Sequence, residues 1–182
     1  DDRRVATGCE GGPAMSTQLA RRLGALSAAV DRACSLFAFL ALGIMLLAVL
    51  LQIVARYVFD APPPWTEEIG RYAMLWSGLL GGTMAYYRRA DPALVQPRAT
   101  DSAARVLLRQ SVEFVALVVF VAPVLQFTPG FLERHAHRIT ETLEINSALV
   151  VAIVPVSLVV LLVHQAARVA GALESLRAGR SA

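Results

Sequence analysis

Lysine is missing altogether: every one of the 17 basic residues in this 182-residue chain is arginine. There is therefore no P-loop lysine, no Schiff-base lysine and no lysine general base, which argues against ATP hydrolysis by this chain. Cysteine is nearly as scarce. Cys9 and Cys34 are the only two and share no C-x-x-C spacing, which excludes an iron-sulfur cluster, a thiolate zinc site and a thiol oxidoreductase of the two-pair kind. Charge is thin as well, at 17% of residues against roughly 25% in ordinary soluble domains. The net charge of +3 is of the sign that nucleic acid attracts, but the arginines lie beside apolar runs rather than on a soluble domain, so no nucleic-acid partner is expected.

What the chain has instead is apolar length. Apolar residues make up 56% of it, gathered in runs at 33–55, 72–87, 112–132 and 145–163. A hydrocarbon core of about 30 Å needs about 20 helical residues, so three runs suffice outright and the second does once Ile69, Gly70 and Arg71 join it. The expected fold is an all-α integral membrane protein with spans at about 33–58, 67–87, 112–132 and 145–166. These make a four-helix domain over 16–170, flanked by a disordered tail at 1–15 and a second tail at 171–182. Met15 followed by Ser16 and Thr17 reads as a translation start. From Ser16 onward Leu19, Leu23, Leu26 and Val30 share one helical face, with Arg21, Asp31 and Arg32 pointing elsewhere, so an N-terminal amphipathic helix lying on the lipid surface is expected, with a simple extension of the first span as the alternative.

Arginine placement sets the orientation. Five precede the first span (Arg3, Arg4, Arg21, Arg22, Arg32), five lie in the middle loop (Arg88, Arg89, Arg98, Arg105, Arg109) and three in the C-terminal tail (Arg168, Arg177, Arg180), thirteen on one side. The other side receives Arg56, Arg134 and Arg138, so both termini are expected in the cytoplasm. The middle loop, with Pro92, Pro97 and the charged, helical-looking segment from Asp101 to Gln110, reads as a connector.

Candidate functional residues concentrate between Gln52 and Gly82. Gln52 and Arg56 share a face at the outer end of the first helix, where a guanidinium needs a partner or a headgroup. Because the Pro62–Pro64 turn reverses the chain, Arg56 is expected to pair with Glu67 or Glu68. Trp65 reads as an interface anchor, Thr66 as the cap of the second helix, and Glu67 as an ion-pair partner for Arg71 four residues on. Gly78-x-x-x-Gly82, beside Ser77, Gly81 and Ala85, allows close approach of another helix. Arg109 and Glu113 are spaced as an ion pair. His135-x-His137 with Glu133 resembles a metal cluster but reads as a solvated loop, and His164 alone near a span does not make a haem site. No catalytic, cofactor or metal residue is assigned, and the chain is not expected to be an enzyme.

Gln52 to Arg56-Tyr57, Trp65-Thr66-Glu67-Glu68, Arg71-Tyr72, the Gly-rich second span and Arg88-Arg89 together resemble the small, DctQ-like membrane subunit of tripartite ATP-independent periplasmic (TRAP) transporters. Ser147-Ala148-Leu149 to Pro155 adds to a likeness running from about Ala33 to Arg168. One departure is visible: the loop after Arg89 reads Asp91-Pro92-Ala93, where that family often has a His. The resemblance implies a scaffold in the bacterial inner membrane, bracing a large transport subunit in the lipid bilayer and helping a periplasmic solute-binding protein dock, within a secondary, ion-gradient-driven carboxylate importer. It makes Gln52, Arg56, Tyr57, Trp65, Glu67, Glu68, Arg71, Gly78 and Gly82 structural or partner-contact residues. The competing class is an autonomous homo-oligomeric channel or transporter using Glu113, Gln126 and the proline-kinked third span.

Overall fold

The computed structural model describes residues 15–90 and 102–178. Residues 1–14 of the expected N-terminal tail, the Pro92–Pro97 part of the connector and Arg180 lie outside them. Five helices follow in order: α1 Met15–Val58, α2 Pro64–Tyr87, α3 Ala103–Ala136, α4 Ser147–Val151 and α5 Ile153–Ala178. Among the described residues three segments are long and apolar enough to cross a membrane, at Ala20–Val58, Ala103–Ala136 and Ser147–Arg177. α2 is long enough at 24 residues, but Glu67, Glu68, Arg71 and its glycines dilute its apolarity.

Two expected boundaries change. The separate surface helix at the N-terminus is instead the first part of α1, a single 44-residue helix of ~66 Å at 1.5 Å per residue. Nothing between Ser16 and Ala33 breaks a helix, since the stretch has no proline and Gly24 is its only glycine. Likewise the third span begins earlier than expected: from Ala103 onward the helical-looking charged segment is continuous with α3, with Ser102 in extended conformation at its N-cap.

α5 is the hub. It packs against α1, α2 and α3, while α1 and α2 form an extensive antiparallel hairpin and α3 has its main contacts with α4 and α5. Only a slight break at Ala152 separates α4 from α5, three residues before Pro155, whose missing N–H leaves the Val151 carbonyl without its usual helical partner. The α1–α2 turn is closed by Asp60, in the left-handed region at φ 52°, and by the Ala61 N–H returning to the Ala55 carbonyl at 3.2 Å. α2 ends in a Schellman motif: Arg89 takes φ 55°, its N–H donates to the Tyr86 carbonyl, and the Ala90 N–H donates to Ala85 at 2.9 Å.

The core reverses the pattern of a water-soluble helix. Along α1 the buried residues are Ala20, Ser27, Asp31, Cys34, Ser35, Ala38, Ala48 and Ala55, most of them three, four or seven residues from another, as in a coiled-coil seam. The larger Leu, Ile and Phe side chains of the same helix face outward. Leu26, expected on the lipid-facing side, is 51% exposed, whereas Asp31, expected off that apolar face, is buried between helices. Lipid solvates Leu as well as protein does, so packing is left to small residues and to polar ones that need each other. The apolar centre is accordingly small: Cys34 and Ala38 from α1, Leu80 from α2, Ile153 and Val160 from α5.

Candidate functional site

Two polar clusters sit at opposite ends of α2. At its N-terminal end Pro63, extended at φ −64° and ψ 128°, is the cap, and Pro64 fills the first helical position, where a missing N–H costs nothing. Thr66 is therefore not the cap. It lies inside the first turn, buried, and donates from Oγ1 to the Pro63 carbonyl at 2.7 Å. Glu67 is exposed and accepts from Arg71 at 2.9 Å, the pair that their spacing suggested. Glu68 is only 8% exposed. Its Oε1 accepts from the Tyr72 hydroxyl at 2.5 Å, and its Oε2 accepts from the backbone N–H groups of Thr142 and Leu143 at 2.9 and 3.0 Å and from the Thr142 hydroxyl.

That arrangement replaces the expected clasp. Arg56 is exposed at the last turn of α1, and among the described residues no ion pair joins it to Glu67 or Glu68. Glu68 is drawn instead to the loop between α3 and α4, because two backbone N–H groups and a hydroxyl at fixed positions solvate a carboxylate more completely than one long, mobile guanidinium. These donors leave neither oxygen of the Glu68 carboxylate without a partner.

The second cluster, at the C-terminal end of α2, was not anticipated. The Ser27 hydroxyl of α1 lies 2.7 Å from His164 Nδ1 of α5, and the His164 ring, 1% exposed, packs 5.0 Å from Tyr87. Arg88 reaches back to α1, 3.6 Å from Asp31 Oδ2 and donating to the Ser35 hydroxyl at 3.1 Å. Gln165, fully buried at 0%, accepts from the Tyr86 hydroxyl and donates to the Gln110 carbonyl of α3 at 2.9 Å. Arg168 donates to the Tyr86 carbonyl and stacks 4.2 Å over the Tyr86 ring. Arg109 and Glu113 form the expected pair at 2.9 Å beside Gln165. All four long helices thus contribute to one polar layer.

The remaining candidates are placed singly. Gln52 is half-buried in α1, while Tyr57 and Trp65 are exposed near the outer turn. Gly78 and Gly82 are exposed, and a Cβ built on either would meet nothing within 4 Å, so no helix of this chain uses that close approach. α2 packs through Ala73, Trp76, Leu80 and Thr83 instead. His135 stacks on Phe131 at 4.2 Å, with its Nδ1 2.9 Å from the Phe131 carbonyl. Among the described residues no three His, Cys, Asp or Glu side chains are grouped to hold a metal ion.

Long helices that bare their large apolar side chains, bury small ones and tie their polar groups across helices define a polytopic helical membrane protein. A sequence model of the family described as "Tripartite ATP-independent periplasmic transporters, DctQ component" matches residues 45–175, and the chain belongs to that family, the small component of TRAP transporters. No curated protein matches it. The family works in a tripartite system with a large membrane subunit and a solute-binding protein.

Proposed function

We propose that this chain is the scaffold of an ion-gradient-driven carboxylate importer of the bacterial inner membrane, crossing four times with both termini cytoplasmic. It braces the large transport subunit and contributes part of the surface on which the periplasmic binding protein docks. The observation that carries this reading is the open face of α2: Gly78 and Gly82 invite a close helix neighbour that this chain does not supply. α1 adds a flank of bare Leu, Ile and Phe side chains beside it. α2 counts as the fourth crossing because it packs along α1 in the same bundle, with its charged first turns at one end and Arg88-Arg89 at the other. The residues an autonomous ion path would recruit are otherwise placed, Glu113 in an ion pair and Gln126 on the outside of α3.

Topology tests the reading directly. Reporters fused after Arg180 or inserted within 98–105 should be active only as cytoplasmic reporters, and those inserted near His135 only as periplasmic ones. A periplasmic signal from the C-terminus would overturn the four-crossing arrangement.

A further inference from the structure

The loop at 137–146 is closed on itself at its base. The Thr140 N–H donates to the Ile145 carbonyl at 2.9 Å, the Ser147 N–H to Arg138 at 3.0 Å, and the Asn146 side chain both caps α4 and donates to the Ala136 carbonyl. Yet the loop belongs to α3 and α4, and every hydrogen bond described between it and α2 ends on one carboxylate, that of Glu68. Between loop and helix lies a recess of about 470 Å³. α2 supplies one wall with Glu67 and Arg71, and the loop supplies the other with Arg138 and Glu141. Arg138 and Glu141 are exposed and have no ion-pair partner among the described residues, so the recess offers unspent charge of both signs at the outer end of the bundle.

We infer that Glu68 is a positioning residue that joins the 137–146 loop to α2 and so preforms the recess against which the periplasmic binding protein docks; this rests on the scaffold reading above. Glu68 itself is too buried to meet a partner. Its part is to fix the distance between the two charged walls before the partner arrives. A preordered surface spares the ordering cost that a loose loop incurs on binding, so loosening it weakens docking while leaving the turnover of the docked complex alone. A recess rimmed by mixed charge also suits the polar, transient contact that a shuttling binding protein requires.

The test uses the complete transporter in proteoliposomes with purified binding protein, comparing the parent with Glu68→Ala, Glu68→Gln and Thr142→Val. Amide exchange at Thr142 and Leu143 should speed up by roughly ten-fold in Glu68→Ala, and by less in Glu68→Gln and Thr142→Val, which each keep part of the contact. The binding-protein concentration that half-saturates uptake should rise in the same order, by roughly five- to ten-fold at most, with the maximal rate held within about two-fold. Should Glu68→Ala fail to assemble, the graded response of the other two variants carries the test. Unchanged exchange in all variants would overturn the latch. Faster exchange with unchanged half-saturation would overturn the positioning role, and Arg138→Glu then separates the causes: a shifted half-saturation keeps the docking reading and discards only Glu68's part in it, whereas no shift discards docking at this face.

Discussion

Replacing Arg88 with alanine should destabilise the detergent-solubilised chain by about 2 to 3 kcal/mol, a larger loss than an exposed ion pair commands. The Arg88 side chain is half-exposed, and its attraction to Asp31 across 3.6 Å is screened, so the pair itself is worth about 1 kcal/mol at most. The greater cost falls on what remains. Asp31 is buried, its Oδ1 has no protein partner, and Arg88 is its only described ion-pair partner. Removing the guanidinium strands a carboxylate between α1 and α2, and the Ser35 hydroxyl loses its donor in the same step. Removing Asp31 instead strands nothing, because Arg88 can turn to water. Thermal or denaturant unfolding of Arg88→Ala, Asp31→Ala and the double variant checks this: the double should be more stable than Arg88→Ala alone. Additive losses would mean the two residues act independently.

A loss of similar size is expected for Gln165→Leu, about 2 to 3 kcal/mol, because one amide serves two neighbouring helices. Its oxygen takes the Tyr86 hydroxyl of α2, and its nitrogen donates to the Gln110 carbonyl of α3. Leucine keeps the volume and neither bond. α3 has its main contacts with α4 and α5, so loosening this junction should free α3 first and show as faster exchange over its first turns. The control is Gln126→Leu, on the exposed side of α3, which should change stability by less than about 0.5 kcal/mol. Equal losses at 126 and 165 would show that the polar layer does not join the helices.

Neither residue's partners could be read from the sequence, and the reason is physical. Contacts between near neighbours were legible: Glu67 with Arg71 and Arg109 with Glu113 follow from helical spacing alone. Asp31 with Arg88 and Ser27 with His164 join residues 57 and 137 positions apart, which no periodicity connects. The wheel drawn through Leu23, Leu26 and Val30 traced the apolar face, which was expected on the lipid, and did not ask which face packs against the other helices. Read by the rule for membrane packing, Ser27, Asp31, Cys34, Ser35 and Ala38 at three- and four-residue steps mark the packed face. The Arg56 clasp failed for a related reason: closeness along the hairpin suggested the pair, while the loop that takes Glu68 lies more than seventy residues away. Glu68 itself was singled out, but its partners could only come from the fold.

Transport by the parts and the whole tests the central claim most directly. Uptake of a labelled carboxylate into proteoliposomes under an imposed sodium gradient is compared for this chain alone, for the large subunit with its binding protein, and for all three together. Uptake should require the three together and be absent for this chain alone. Gradient-driven uptake by this chain alone, or full uptake by the other two without it, would contradict its assignment as the scaffold of the system.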